Sequence, residues 1–157
     1  MQILSSHDLR AFIESHGLPG PIILCDQPTL TVEAAARAMS VQPSQIVKTL
    51  LFLISGNPVL VIACGTGAID LRPLADRFGV GKKQVKLAGP DQVLAFTGYS
   101  AGAVPPFGHL HPLPTLLSPQ VLAQPFIYAG GGEENALLRL NPQDLLSITQ
   151  AEILEGL

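Results

Sequence analysis

The segment VKTLLFLI sets a lysine, Lys48, at the head of an otherwise apolar run. Side chains alternate across a strand, so Lys48 shares a face with Leu50, Phe52 and Ile54. An ammonium on that face must reach water at the strand end or look into a polar cleft, because an unpaired buried charge is costly. In a regular strand Thr49 points the other way and would not share a cavity with Lys48. A bulge at the strand start would bring the two together.

Other side chains offer less. GHLH sets His109 and His111 on one face of a strand, but two histidines without a third ligand make a poor metal site. CGTGAID follows a strand with Gly65 and Gly67, yet Asp70 stands where a dinucleotide fingerprint has its third glycine. Neither Cys25 nor Cys64 has a neighbouring histidine to make it a nucleophile, and Ser100 lacks the GxSxG elbow. Glu133 and Glu134 fall in a glycine-rich turn that reads as solvated. What remains is backbone. GYSAGAVPPFGH, residues 98–109, is a glycine-rich turn closed by prolines. Such a loop holds carbonyls and amides in a fixed arrangement, with little side chain to obstruct a ligand.

These groups need a scaffold, and 157 residues suffice for one domain spanning 1–157 with a real core. At 47% hydrophobic and 13% charged the chain is unusually apolar. Even so, no apolar run approaches the roughly 20 residues of a spanning helix. The start, MQILSSHDLRAF, lacks the basic region and apolar stretch of a secretion signal, so a cytoplasmic location is expected, with Cys25 and Cys64 as buried free thiols. A net charge of −3 argues against non-specific coating of nucleic acid. Arg72, Arg77, Lys82, Lys83 and Lys86 nonetheless supply five of nine Lys and Arg residues, a local patch able to meet phosphates or simply a solvated face.

Ser6 is placed to cap a first helix through HDLRAFIESHG, followed by a strand, PIILC. Thr31 caps a second helix, VEAAARAMS. IVKTLLFLIS and VLVIACG, split by Gly-Asn-Pro, read as a hairpin at the core of a sheet. Asp70 caps LRPLADRFG; QVKLAG is a strand and PDQVLAFTG a short helix. Strands at PFIYAG and ALLRL precede a last helix with Asn141 as cap and Pro142 at its first position. The irregular alternation predicts an α+β fold with a mixed, mostly antiparallel sheet and packed helices, rather than a doubly wound parallel sheet.

IVKTLLF, GYSAGAVPPFGH and RLNPQDL, in this order and spacing over residues 20–150, together resemble the YbaK/EbsC family of prolyl-tRNA-synthetase-associated editing domains. That family pattern has a lysine followed by threonine or serine, a Gly-x-x-x-Pro loop and a late aspartate opening the last helix. The matching positions are Lys48 with Thr49, residues 102–106, and Asp144. PPFGH is similar to free-standing members. The resemblance implies hydrolysis of mischarged aminoacyl-tRNA, a small wrong amino acid on tRNA for proline, with no metal, cofactor or covalent nucleophile. A site selecting proline cannot strongly reject a similar-sized or smaller amino acid, so a second site must remove it.

By the same resemblance Lys48 holds the phosphate of the 3′-terminal nucleotide, the Gly102 carbonyl anchors the aminoacyl group, and the ribose 2′-hydroxyl helps activate water. Thr49, Gly98, Tyr99, Ala103, Pro105, Pro106 and Asp144 line or support the pocket. Given such a substrate, the basic residues Arg72, Lys82, Lys83 and Lys86 are expected to touch the acceptor stem, and prolyl-tRNA synthetase is a candidate partner. One departure bears on amino-acid specificity. Where several free-standing relatives carry a Gly-Thr-Pro-His-like sequence, this chain has Glu133, Glu134 and Asn135 after Gly131 and Gly132. Two other readings stand beside the deacylase: a binding module that kept the pocket but lost turnover, and a nucleotide-dependent enzyme using the GTG turn.

Overall fold

The structure, a computed structural model, describes residues 2–157. Helix α1 (Ser6–Ser15) is capped by Ser5, one residue earlier than expected. Ser5 and Asp8 form a reciprocal capping box, with Ser5 N–H donating to Asp8 Oδ2 at 2.8 Å. That leaves Ser6 free for another contact, described below. Strand β1 (Ile22–Leu24) leads to α2 (Val32–Met39), where the Thr31 hydroxyl caps as expected. Strands β2 (Val47–Ile54) and β3 (Asn57–Cys64) pair without a bulge along their whole length. Their turn is Ser55–Gly56, both at positive φ, rather than Gly-Asn-Pro. Pro58 therefore lies within β3, beyond the part that pairs with its other neighbour, so its missing N–H leaves no ladder bond unmade.

Helix α3 (Leu71–Phe78) is capped by Asp70, and β4 (Val85–Leu87) and α4 (Pro90–Thr97) follow. Then come β5 (Thr115–Leu117), a single turn α5 (Pro119–Leu122), β6 (Ile127–Gly130), β7 (Ala136–Leu140), α6 (Pro142–Thr149) and β8 (Glu152–Ile153). The fold is α+β with mostly antiparallel strands, as expected, but they divide into two sheets. One has the order β4-β2-β3-β5-β8, parallel at β3–β5 and β5–β8; the other is antiparallel, β1-β7-β6. The sheets meet at a single bridge between Ile46 and Tyr128, at the head of β2. Elements α5 and β8 are too short to leave a periodic signal in sequence.

The alternation along β2 assigns its faces. Phe52 and Ile54 pack with Val59, Val61, Leu74 and Ala75 beneath α3. Leu51 and Leu60 pack with Val93, Tyr99 and Val104 on the other side. Val47 and Ile62 join a third cluster with Leu9, Leu138 and Leu145 that ties the two sheets together. Both cysteines are free but only half-buried, more accessible than expected.

Candidate active site

Strand β4 covers β2 only from Phe52 to Ile54, and the Leu51 carbonyl is taken by Ala88 N–H. The edge of β2 from Val47 to Leu50 is uncovered by β4, and a cavity of 190 Å³ opens there. Its wall includes Lys48, Thr49, Leu30, Gly102, Val104 and Glu133. Lys48 and Thr49 lie on opposite faces, as the alternation requires, and no bulge joins them. They nevertheless share the cavity because it faces the strand's edge rather than one of its faces. The expectation that they would be separated is thereby corrected.

Register also fixes where the Thr49 backbone points. Thr49 lies opposite Ile62, and the Ile62 carbonyl turns the other way to accept from Ser118 N–H at 2.9 Å. In an antiparallel ladder such a pair directs its own amides and carbonyls outward, so those of Thr49 face the open edge. The Thr49 hydroxyl is buried with no hydrogen-bond partner among the described residues. Such a group calls for an explanation, and a ligand is one. The Lys48 ammonium, from the α3 side, donates to the Gly67 carbonyl at 2.5 Å.

The opposite wall is the glycine- and proline-rich loop. Ala103 N–H donates to the Ser100 carbonyl at 3.0 Å, closing a β-turn with Gly102 at its third position and φ of 86°. That position favours glycine. A Cβ there would also meet Leu30 Cδ2 at 3.2 Å. Beyond the turn the loop is held from beneath. His109 Nε2–H donates to the Pro105 carbonyl at 2.7 Å, and its ring meets Tyr99 edge-on. Burial holds the His109 pKa below the usual histidine range, keeping the neutral donor. Burial, with a smaller push from Asp8, raises the Tyr99 pKa to about 12.

Of the residues expected at the pocket, Lys48, Thr49 and Gly102 come together. Gly98, Tyr99, Ala103, Pro105, Pro106 and Asp144 do not line the cavity. Gly98 ends α4, and its carbonyl accepts from Leu4 N–H at 2.8 Å. Tyr99, Ala103, Pro105 and Pro106 are buried within the loop's support, and Asp144 sits in the first turn of α6. Arg72, Lys82, Lys83 and Lys86 are all exposed. Lys86 pairs with Leu53, five residues along β2 from Lys48, so about 17 Å away. Arg72 lies in the first turn of α3, which follows the connection carrying Gly67.

The sequence profile described as the aminoacyl-tRNA editing domain matches residues 26–148, a span containing every one of these lining residues. The chain belongs to that family. This editing domain is 30% identical to YwhH of Bacillus subtilis over 124 residues, 78% of this chain and 77% of that protein. It is 29% identical over 129 residues to EbsC of Enterococcus faecalis, named as a candidate Cys-tRNA(Pro)/Cys-tRNA(Cys) deacylase, covering 80% and 76% of the two chains. Among solved structures it superposes on a proposed trans-editing enzyme for prolyl-tRNA synthetase with a TM-score of 0.86 and 31% identity, over 94% and 93% of the chains.

One lining residue of the editing domain was not expected from sequence. Glu133, read as solvated, has an exposed side chain whose Oε2 accepts from Ser6 N–H at 3.3 Å and from the Ser6 hydroxyl. The glycines before it make this possible. A Cβ on Gly130 would strike the Val104 carbonyl, and one on Gly132 would stand 2.9 Å from Ser5 backbone. The run Gly130–Gly132 thus lets three chain segments converge. The triple glycine was the visible signal; the partner it serves lies 127 residues away.

Proposed function

We propose that the chain is a free-standing aminoacyl-tRNA deacylase, a single domain over 1–157, that removes a small amino acid from mischarged tRNA for proline. The observation that carries this reading is that Lys48, Thr49 and Gly102, from motifs far apart in sequence, line one small cavity of an editing-family chain. Lys48 exchanges the neutral Gly67 carbonyl for the anionic phosphate of the terminal nucleotide, a stronger charge-assisted contact. The Gly102 carbonyl and the outward backbone groups of Thr49 fix the aminoacyl ester. Water adds to the ester carbonyl carbon, the bond to the ribose 3′-oxygen breaks, and the ribose oxygen takes the proton. The neighbouring 2′-hydroxyl assists the water. An ester needs only modest activation, so positioning and fixed dipoles supply most of the rate enhancement. The exposed Arg72, Lys82, Lys83 and Lys86 guide the acceptor stem. Substrate and task place the protein in the cytoplasm, working beside prolyl-tRNA synthetase.

The test is a deacylation screen with alanyl-, cysteinyl- and seryl-tRNA for proline, using wild type and Lys48→Ala. Wild type is expected to release at least one amino acid. Lys48→Ala is expected to lose that release while keeping its melting temperature, since Lys48 makes its one side-chain bond at an exposed site. Full activity in that variant overturns the role of Lys48. The same cavity would serve a second reading, a module that binds aminoacyl-tRNA without turnover. Measurable tRNA binding with no amino acid released would establish it.

A further inference from the structure

The ionisable side chains lining the 190 Å³ cavity are Lys48 and Glu133, one of each sign. An aminoacyl-tRNA end presents the same pair of charges: a phosphate, and an α-ammonium on the far side of the ester. α-Amino groups titrate near 7.7–8.0, so the ammonium form prevails at neutral pH. If Lys48 takes the phosphate, the complementary carboxylate belongs at the amino-acid end.

Glu133 has the features that role needs. Its Oε2 is tethered by Ser6 N–H and Ser6 Oγ at the start of α1, so the side chain is held at the cavity rather than loose in solvent. Its Oε1 has no protein partner among the described residues, where the one ion pair joins Arg77 to Glu152 elsewhere. No lysine or arginine of those residues therefore neutralises Glu133. The Gly130–Gly132 run, tolerating no Cβ at its close approaches, fixes the backbone from which Glu133 projects. Glu133 and Leu30 also line a neighbouring cleft of 380 Å³, so Glu133 borders both openings.

Resting on the deacylase reading, we propose that Glu133 is the subsite for the substrate's α-ammonium. It makes the site selective for aminoacyl esters with a free, charged amine over isosteric esters without one. Glu133 is a specificity-determining residue that contacts substrate; the water attack and bond cleavage do not pass through it.

The experiment compares alanyl-tRNA for proline with the same tRNA carrying a lactyl ester, in which a hydroxyl replaces the ammonium at nearly equal size. Both are measured with wild type, Glu133→Gln and Ser6→Ala, as kcat/KM and as equilibrium binding. Glu133→Gln keeps an oxygen to accept from Ser6 but loses the charge. A charge-assisted hydrogen bond predicts that Gln lowers kcat/KM and affinity for the alanyl form about tenfold or more. The lactyl form should change less than about threefold. Intrinsic ester reactivity cancels in the ratio of the two enzymes. Ser6→Ala, which loosens the carboxylate but leaves its charge, should retain most of the preference. The proposal is overturned if Gln affects both esters equally, or if wild type binds both tRNAs alike. Should Glu133→Gln not fold, the wild-type binding comparison alone decides. If neither ester is cleaved but the binding preference holds and vanishes in Gln, the deacylase reading falls and the ammonium subsite stands.

Discussion

Among the described residues two buried hydroxyls have no partner, Thr49 Oγ1 and Tyr99 Oη, and they differ in where they sit. Thr49 lines the cavity; Tyr99 is fully buried under the loop, away from it. A buried polar group left unpaired costs about 1–3 kcal/mol. Thr49→Val and Tyr99→Phe each remove that cost with almost no change of shape. Each variant should therefore gain about 1 kcal/mol or more, a rise in Tm of about 2–4 °C for a chain of this size. Their activities should separate. Tyr99→Phe should leave deacylation unchanged. Thr49→Val should lower kcat/KM about five- to tenfold, the worth of one hydrogen bond to substrate. Thermal unfolding followed by circular dichroism, beside deacylation kinetics on the same preparations, reads both quantities. A Thr49→Val protein that is destabilised would show that the hydroxyl is already satisfied in the free protein. One that is stabilised and fully active would show that it faces no substrate. Either result refutes the assignment.

Gly102→Ala forces an L-residue into a positive φ and presses a Cβ toward Leu30. It should cost about 1–2 kcal/mol of stability, seen in urea unfolding. A far larger loss of kcat/KM, about a hundredfold, should accompany it because the carbonyl is displaced. His109 titrates below its unfolded value of about 6.5, so the unfolded chain binds the extra proton first. Its contribution to stability is complete above that pH and is lost as pH falls through the folded pKa. Tm should therefore drop between pH 7 and pH 5, and less steeply in His109→Gln, which keeps a donor for the Pro105 carbonyl.

Local chemistry was legible in the sequence and convergence was not. Caps at Thr31, Asp70 and Asn141 depend on residues within three positions, and each stands where its side chain dictates. The α1 cap moved by one residue because Ser5 finds Asp8 at the capping-box distance, a competition two adjacent serines leave open. Lys48 was visible as a charge in an apolar run. Its sharing of a cavity with Thr49 was not, because that depends on where β4 stops, and β4 belongs to a segment some thirty residues on. Glu133 is exposed, as a carboxylate among glycines suggests. Its bond to Ser6 and its place on the cavity wall were hidden because the start of α1 lies 127 residues away.

The uncovered edge of β2 also carries a hazard of another kind. Open strand edges with apolar neighbours invite pairing with a second chain. Here the residues 102–104 and the segment lining the cavity before α2 stand over that edge, and Lys48 places a charge on it. The arrangement that admits a small ligand is thus also a guard against self-association. Loosening the loop to enlarge the pocket exposes a template for aggregation, so the protein's solubility limits how far its selectivity can be widened.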